Sequence, residues 1–397
     1  MKPHHNNFKE VKILNEYLRT YAQINLDNIE HNLSELKKYS GNAKTCAVIK
    51  ADGYGHGAVA VGKFLSGKVD FFAVATADEA CELRNAGIKD NIIMLSYTHE
   101  SNMKKMIKAG VSMAVFSLTD AKKMNEKAKE TGIKAKIHIA VDTGMKRIGF
   151  YPDEKSADDV KEISKLPFVK IEGVFSHYAC ADTENDKFSS HQKNLFDFFC
   201  DLCEKKGVDL GIKHICNSAA ITEYSEHYDM VRMGILLYGL WPSDAMDKSK
   251  LNIRPAMTFK SHITLIKTVR KGEGISYGLT YTAKENIKVA TINAGYADGY
   301  PRMLSNKGRV LIHGKYAPVV GIVCMDQIMV DVTDIPEAKV DDEVILFGTD
   351  GKNTVSPDEI AGICNTINYE IICGVSRRCP RKYIKDGRET ETVNYLV

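Results

Sequence analysis

The sequence predicts an α/β chain in which an N-terminal (β/α)₈ barrel of the TIM type precedes a C-terminal, mainly β domain. Over the first two-thirds of the 397 residues, eight short apolar runs alternate with helix-like segments, which is typical of parallel strands joined by helices. From about residue 252, segments rich in Val, Ile and Thr follow one another between Gly and Pro turns. An open doubly wound sheet remains the alternative for the first part, because periodicity does not distinguish it from a barrel.

The barrel strands are predicted in chain order at 46–51, 71–75, 91–96, 113–117, 136–142, 170–177, 214–217 and 231–235. The helix-like segments between them lie at 56–66, 76–86, 99–109, 117–131, 153–165 and 191–206. Several of these segments end at a glycine, the residue that most often closes a helix: Gly67, Gly87, Gly110, Gly132 and Gly207. No GxGxxG motif follows an early strand, so the pattern gives dinucleotide binding no support.

In the second part, strands are predicted at 256–270, 287–294, 309–313, 317–324, 328–332 and 343–347, with one short helix near 357–365. A further strand-like run at 22–27 is not needed for the eight barrel strands, and it can belong with the other domain. The predicted domains are an N-terminal segment joining the β domain (1–20), the barrel (21–251) and the β domain (252–397).

Composition excludes several classes of protein. The 54 Lys and Arg nearly balance the 51 Asp and Glu, so the net charge of +3 indicates no nucleic-acid partner. No apolar run approaches the roughly 20 residues that span a bilayer. The polar N-terminus lacks the apolar stretch of a signal peptide, so we expect a cytoplasmic protein with no membrane partner. Cys200 and Cys203 form a CxxC pair without a second pair to complete a metal site, and we expect ordinary thiols and no metal.

Reactive side chains cluster where predicted barrel strands end, the position at which barrel enzymes carry their chemistry. AVIK ends in Lys50 and runs into a glycine-rich loop, IHIAVD runs into a loop holding Arg147, and GVFSH ends in His177. The last two strands carry the segments HICNSAA and MVRMGI, which contain His214, Asn217, Ser218, Arg232 and Gly234. A lysine amine that is shielded from water can form an imine with an aldehyde, the first requirement of a pyridoxal 5′-phosphate (PLP) site.

At this point the motifs resemble a known family. AVIKADGYGHG is similar to the PLP-lysine motif of alanine racemases, and ISYGLTY, GYADGY, CMDQ and NTINYE resemble second-domain motifs of that family in the same order. The resemblance runs from about residue 20 to the end of the chain. It implies a PLP-carrying barrel, a C-terminal β domain and a homodimer with composite active sites.

The resemblance also implies roles for matching residues. Lys50 resembles the Schiff-base lysine and one catalytic base, and Tyr277 the opposing base from the partner subunit. Arg232 matches the arginine that binds the pyridine nitrogen, and Arg147 and the backbone at Met325 match positions that hold the substrate carboxylate. Six further residues match positions that bind the cofactor: Tyr54, Asn217, Ser218, Gly234, Ile235 and Tyr369. His177 and His214 match histidines linked to the pyridine-binding arginine and the tyrosine base. Tyr296 and Asp326 match supporting positions.

One position departs from the family pattern. Many members carry a lysine, often carbamylated, seven residues before the carboxylate-binding arginine, and this sequence has Ala140 there. Arg147 must then be held by a bound anion, by another carboxylate or by substrate alone.

The sequence therefore predicts a PLP-dependent racemase that interconverts L- and D-alanine with two bases and supplies D-alanine for peptidoglycan. Racemisation of serine or another small amino acid on the same machinery is the first alternative. A fold-related PLP decarboxylase is the second, although Tyr277 argues against it. A non-catalytic PLP-binding single barrel is the third, and such proteins lack a second domain.

Overall fold

The computed structural model describes residues 18–184 and 186–397. They form two compact units, Ile29–Arg254 and a second unit made of 18–28 with Pro255–Val397. The first strand, β1 (Thr20–Asn25), belongs to the second unit. The sequence-based domain limits at 1–20, 21–251 and 252–397 stay predictions, and most of the segment 1–20 lies outside the described residues.

Eight parallel strands form the sheet of the unit Ile29–Arg254. Strands that follow one another in the chain are neighbours, and the last strand pairs with the first, Lys44 lying opposite Met230. Hydrogen bonds from Asp229 N to Lys213 O (3.0 Å) and from Arg232 N to Cys216 O (3.1 Å) join the remaining two edges. This arrangement confirms the predicted barrel over an open sheet. Its strands are β2 (Lys44–Val48), β3 (Phe71–Val74), β4 (Asn91–Met94), β5 (Val111–Val115), β6 (Ala135–Ala140), β7 (Val169–Phe175), β8 (Ile212–His214) and β9 (Met230–Met233).

The predicted helices between the strands are present. Thr76 begins one of them with a capping box, its hydroxyl accepting from Glu79 N, and Gly132 ends another at φ 71°. The helices of the first part of the chain are α1 (Leu26–Ser40), α2 (Ala58–Leu65), α3 (Ala77–Asn85), α4 (Glu100–Lys108), α5 (Leu118–Thr131), α6 (Glu154–Ser164), α7 (Phe188–Lys205) and α8 (Ser218–Glu223). Across the described ranges, no helix combines the length and apolarity that crossing a bilayer requires.

Cys200 and Cys203 lie buried in α7. Burial raises the pKa of both thiols to about 12. They are therefore protonated thiols of the helix–barrel interface, which suits packing better than metal binding.

The second unit is built on a ten-stranded sheet with the main order β15-β14-β17-β10-β1-β19-β20. β1 pairs antiparallel with β10 and parallel with β19, so the strand-like run at 22–27 does belong to this sheet. The strands are β10 (Met257–Val269), β11 (Gly274–Ile275), β12 (Tyr281–Thr282), β13 (Ile287–Ile292), β14 (Arg309–Ile312), β15 (Lys315–Pro318), β16 (Ile328–Asp331), β17 (Glu343–Asp350), β18 (Asn353–Val355), β19 (Arg381–Lys385) and β20 (Arg388–Val393). Two helices, α9 (Pro357–Cys364) and α10 (Asn368–Cys373), accompany the sheet.

The predicted strand at 317–324 is wrong beyond Pro318. Gly321 has φ +86°, and a Cβ placed on it would lie 2.6 Å from the Cβ of Ser276. The chain therefore turns tightly beneath Ser276, and only a glycine fits there. This turn brings the segment after β15 next to the loop that carries Tyr277.

Candidate active site

Lys50 lies just beyond β2, where the backbone enters a left-handed turn. Ala51, Asp52 and Tyr54 have φ values of 52°, 54° and 52°, and Gly53 between them has 61°. Left-handed backbone costs a non-glycine residue roughly 1–2 kcal/mol, so this segment requires support from its surroundings.

Hydrogen bonds from both sides hold this turn. Ala51 N donates to Glu79 Oε1 (2.7 Å), and Ala58 N donates to Asp52 Oδ1 (3.0 Å). Gly53 N donates to Ile49 O (3.0 Å), which ties the turn to the end of the strand. Strained backbone that its surroundings hold in place is common at functional sites.

A group of hydroxyl and backbone N–H donors lies at the ends of β8 and β9. Gly234 N donates to Ser218 Oγ (2.9 Å), and a Cβ on Gly234 would lie 3.2 Å from both Ser218 Oγ and Tyr54 Oη. Asn217 caps α8 by accepting from Ala220 N (3.1 Å), and Ile235 begins a 3₁₀ turn. Hydroxyls and backbone N–H groups of this kind bind phosphate oxygens. Because residue 234 has no side chain, the hydroxyls of Ser218 and Tyr54 border a space beside its backbone that suits an anion, and we call this space the cradle.

Arg232 is fully buried in the barrel and is held from several directions. Its Nη1 meets His214 Nδ1 (2.9 Å) and His214 O (3.3 Å), while its Nη2 meets His177 Nδ1 (3.0 Å). Nη2 also donates to the carbonyl oxygens of Ser176 (2.9 Å) and Ile215 (3.0 Å). Among the described residues, all hydrogen bonds of Arg232 use these terminal nitrogens and leave Nε–H for a further acceptor.

The two histidines that contact Arg232 are neutral. Burial, with the charges of Arg232 and His138, lowers the pKa of His214 well below its usual value of 6.5. Burial also lowers the pKa of His177, and the charges of Arg232, Arg147 and Lys50 act in the same direction. Arg232 itself stays charged at neutral pH, because burial lowers its pKa only to about 10. Each neutral histidine can therefore accept a hydrogen bond from the guanidinium.

We expect the protein to lose stability in mild acid because of His214. The pKa of His214 is lowered in the folded protein, whereas in the unfolded chain it is about 6.5. As the pH falls below about 6.5, the unfolded chain therefore binds a proton that the folded protein does not bind, and the free energy of unfolding decreases. At about pH 5.5 we expect this one group to lower the free energy of unfolding by roughly 1 kcal/mol relative to neutral pH. Urea unfolding at both pH values measures it, with the exposed His191→Gln as a control beside His214→Gln. A pH dependence that His214→Gln leaves unchanged would contradict the assignment.

Arg147 lies in the loop after β6, exposed, and lines a small pocket with Met145 and His177. No carboxylate among the described residues forms an ion pair with it, and the nearby Asp142 instead approaches Lys146 Nζ (3.9 Å). Among the described residues of this chain, no carboxylate therefore holds Arg147. A bound anion, the substrate and a carboxylate of a partner subunit stay as alternatives.

Ala140 belongs to an apolar cluster. Its side chain is 1% exposed and packs with Ala114 and Phe175, against which Leu95 and Phe116 also lie. Ala140 also lines the small pocket that Arg147 lines, so a lysine at position 140 would bring a second cation near the guanidinium, and like charges disfavour each other. The neighbourhood of Ala140 thus suits an uncharged residue, in agreement with the departure seen in the sequence.

We expect catalysis to be independent of bicarbonate, because Ala140 offers no amine that could be carbamylated. Activity in carbon-dioxide-free buffer should not change when bicarbonate is added at constant ionic strength. Sodium chloride at the same ionic strength is the control, and activation by chloride alone would identify a bound anion beside Arg147. A requirement for bicarbonate would mean that another lysine takes the missing role.

In the second unit, Tyr277, Met325 and Asp326 line one pocket, together with Ser276, Cys324 and Gln327. Tyr277 is 71% exposed and Met325 is 52% exposed. Ser276 precedes the tyrosine at φ +66°, and its hydroxyl donates to Ile322 O (2.7 Å). The structure therefore presents the tyrosine hydroxyl on a fixed loop.

The two remaining predicted residues of this unit, Tyr296 and Tyr369, do not line that pocket. Tyr296 N donates to Cys324 O (3.0 Å), which places the GYADGY loop beside the tyrosine pocket, and Asp326 Oδ1 accepts from Arg378 Nη2 (2.5 Å). Tyr369 lies in α10 and is half-buried. Within each unit the structure thus brings the predicted residues together, with Tyr369 on a separate helix.

The sequence analysis missed His138 of β6 and Glu172 of β7, which extend the polar groups around Arg232 into the barrel. His138 lies two residues before Ala140 on the same strand, and both are buried. Because alternate residues of a strand face the same side, the pattern along IHIAVD could have placed His138 on the same face as Ala140. Nothing comparable marks Glu172, which lies next to a register shift in the pairing of β6 and β7.

Comparison with known proteins agrees with this geometry. Two family models match, Alanine racemase, N-terminal domain, over residues 24–242 and Alanine racemase, C-terminal domain, over residues 256–383. Alanine racemase 1 of Clostridium acetobutylicum is 44% identical over 378 residues, covering 95% of this chain and 98% of that protein. The solved structure of alanine racemase from Clostridium difficile 630 superposes with a TM-score of 0.93 at 44% identity, covering 96% of this chain and 100% of that one. That of the Bacillus anthracis enzyme with bound L-Ala-P gives 0.90 at 34% identity, with 96% and 99% covered. The chain therefore belongs to the alanine racemase family.

Proposed function

We propose that this chain interconverts L- and D-alanine with PLP as cofactor, and that in the cytoplasm it supplies D-alanine for peptidoglycan. The observation that carries the proposal is the buried Arg232, whose Nε–H is left for a further acceptor, with the cradle at Gly234 two residues further along the chain. Membership of the family supports the reaction class.

The residues of the barrel unit fit PLP. Tyr54, Ser218, Gly234 and Ile235 would bind the phosphate, because the hydroxyls of Tyr54 and Ser218 border the cradle beside the backbone of Gly234. Lys50 would hold the cofactor through Nζ, and Arg232 would donate to its pyridine nitrogen. When bound, PLP supplies an electron-accepting ring that makes the α-proton of an amino acid removable.

Arg232 limits how strongly that ring accepts electrons. An arginine effectively never gives up its proton, so Arg232 would donate a hydrogen bond to the pyridine nitrogen of bound PLP and would not protonate it. A carboxylate in the same place would keep the nitrogen protonated. The arginine should therefore favour return of a proton to the α-carbon over side reactions.

Racemisation requires a base on each side of the α-carbon. We assign Lys50 Nζ to one face and Tyr277 Oη of the partner subunit to the other, since a single group would have to cross the plane of the substrate. Arg147 and the backbone at Met325 would hold the substrate carboxylate. We assign Tyr369 and Asn217 to cofactor support, His177 and His214 to the orientation of Arg232, and Tyr296 and Asp326 to the entry side of the pocket.

We propose a homodimer as the active unit. Tyr277 and Met325 are exposed on the second unit, although a base and a carboxylate-binding group work best when water is excluded. A two-fold partner would cover both in each subunit, since the same surfaces meet in a symmetric dimer.

Mixing two inactive variants should restore activity if sites are shared between subunits. Lys50→Ala and Tyr277→Phe, mixed equally and allowed to exchange, should recover about a quarter of the wild-type sites, because half of the dimers are mixed and each has one intact pair of bases. The measurement is racemase activity alongside native mass spectrometry of the mixture. The control is a mixture of the wild type with the double variant Lys50→Ala/Tyr277→Phe, whose mixed dimers should be inactive if each site draws one base from each subunit. No recovery in demonstrated mixed dimers would place both bases in one chain.

The function is tested by incubating the PLP-loaded protein with alanine, serine and other small L-amino acids in deuterium oxide, followed by chiral analysis. Alanine should give the fastest formation of the D-isomer, with deuterium at the α-carbon. Faster inversion of serine would establish the first alternative, and release of carbon dioxide would establish the decarboxylase.

A further inference from the structure

A line of polar groups runs from Arg232 through two buried histidines to Glu172, which is partly buried. His214 contacts Arg232 Nη1 through Nδ1, and its Nε2 lies 3.0 Å from His138 Nδ1. His138 Nε2 in turn faces Glu172 Oε2 at 3.5 Å. Both histidines are 0% exposed. We call Arg232, His214, His138 and Glu172 the polar chain.

Only one arrangement of protons suits the polar chain. Arginine donates at every nitrogen, so His214 Nδ1 must accept, and a neutral His214 then carries its proton on Nε2. That proton points to His138 Nδ1, which must also accept, so His138 carries its own proton on Nε2 toward the carboxylate. The hydrogen bonds from Arg232 to His214 and from His214 to His138 therefore run in the same direction, and the Nε2–H of His138 faces the Glu172 carboxylate at 3.5 Å, an ion-pair distance beyond good hydrogen-bond geometry.

Glu172 closes the polar chain as an anion. Burial raises its pKa, but the facing N–H of His138 and hydrogen bonds from Ser112 and Lys136 outweigh this and hold the pKa at about 2. Lys136 Nζ lies 3.1 Å from Oε1, and the Ser112 hydroxyl donates to Oε2. The carboxylate is thus an acceptor at all working pH values.

The barrel makes room for this arrangement. A Cβ on Gly173 would lie 2.4 Å from His138 Nδ1, so a glycine is required beside the ring. Phe175 stacks on His214 with 5.3 Å between ring centroids and an interplanar angle of 13°. The sheet pairing shifts register between Ile137 and His138. Three separate features therefore fix the two rings.

Stability alone does not account for a buried polar chain, because well-packed apolar residues of similar volume are often as stabilising. Hydrogen bonds that point in the same direction polarise one another. A negatively charged group that faces the N–H of an imidazole also makes the other ring nitrogen a stronger hydrogen-bond acceptor. We propose that His138 and Glu172 are positioning residues that orient His214 and, through it, aim Arg232 at the pyridine nitrogen. This rests on the proposed function, in which Arg232 binds PLP.

Two substitutions at His138 separate positioning from packing. His138→Asn keeps an acceptor, since its Oδ1 can take the place of Nδ1, whereas His138→Leu fills similar volume with no acceptor. If His138 only fills space, His138→Leu should keep PLP affinity better than His138→Asn, because leucine suits a buried position. If His138 positions His214, the order is reversed. We expect His138→Leu to bind PLP roughly tenfold more weakly than the wild type, and His138→Asn to bind it about as tightly as the wild type. Glu172→Gln should fall between them.

Binding is measured on the dimeric protein by titrating PLP and following the visible absorption of the cofactor, and kcat and KM are measured on the loaded protein. Asp70→Asn is the matched control, because Asp70 also bonds to a barrel strand, at Thr45 N (2.7 Å), but lies outside the polar chain. The control should bind PLP as the wild type does. Equal loss in the control, or leucine matching wild type, would overturn the proposal.

A second readout needs no cofactor. Imidazole ¹⁵N spectra of the PLP-free protein, assigned with the same variants, should show His214 and His138 protonated at Nε2 and not at Nδ1. A proton on Nδ1 of either ring would overturn the polar chain. If instead the wild type neither binds PLP nor racemises alanine while both tautomers are as described, the proposed function fails and the polar chain stands.

Discussion

Lys50→Ala should abolish racemisation, with a loss of at least about 10⁴-fold, and the protein should no longer turn yellow with PLP. The lysine would serve both as the covalent anchor of the cofactor and as one of the two bases, and a well-placed base alone contributes up to about 10⁴-fold. Racemase activity and the visible spectrum are measured together. The fold should persist, because Lys50 lies beyond the end of β2 and is not part of the apolar core.

Lys44→Ala is the matched control, since Lys44 is the exposed residue at the opposite end of the same strand. It should keep both colour and activity. Borohydride reduction of the wild type, followed by peptide mapping, should place the pyridoxyl group on Lys50. A label on another lysine with Lys50 unmodified would overturn the assignment.

Most of the barrel could be predicted because its strands are buried on both faces. Strand β5, for example, is buried at every position, so the apolar run is visible without any homologue. The predicted positions at 214–217 and 113–117 lie about two residues beyond the observed strands, because apolar residues continue past the last paired residue. Strand ends are therefore less well determined than the strands themselves.

The hairpin formed by β19 and β20 was missed. Its strands are rich in charged residues, as in RKYIK and RETETV, so they resemble an exposed polar segment and lack the apolar runs used to identify the other strands. Asp386 and Gly387 between them both have positive φ, 50° and 69°. Asp-Gly is a favoured two-residue hairpin connection, so the pair itself was the available signal for this element.

The left-handed turn after Lys50 could not have been predicted. Two of its residues, Ala51 and Tyr54, carry side chains that disfavour positive φ, whereas Gly53 suits it and Asp52 tolerates it. The turn exists because of bonds such as that from Ala51 N to Glu79 Oε1, which joins residues 28 positions apart. Tertiary contacts of this kind leave no local signal, and neither does the polar chain that ends at Glu172.

Tyr277→Phe should remove one of the two bases and nearly abolish racemisation, by about 10²- to 10⁴-fold. The ring stays, and the tyrosine is 71% exposed, so stability should not change. Tyr281→Phe, four residues on at β12, removes a hydroxyl from the same hairpin and should keep full activity. Loss of activity in both variants would indicate a disturbed loop.

The division of labour between the bases needs a measurement other than steady-state rates. The two isomers have equal free energy, so kcat/KM must fall equally in both directions whichever base is lost. Exchange of the α-proton without inversion is free of this constraint, because it uses one face only. In deuterium oxide, Tyr277→Phe should still exchange the α-proton of D-alanine, since Lys50 Nζ would remove it and return a deuteron from its other exchangeable positions. Exchange from L-alanine should be lost with the phenol. Equal loss from both isomers in single-turnover measurements would show that Tyr277 does not serve one face alone, and exchange that survives only from L-alanine would reverse the assignment of the two bases.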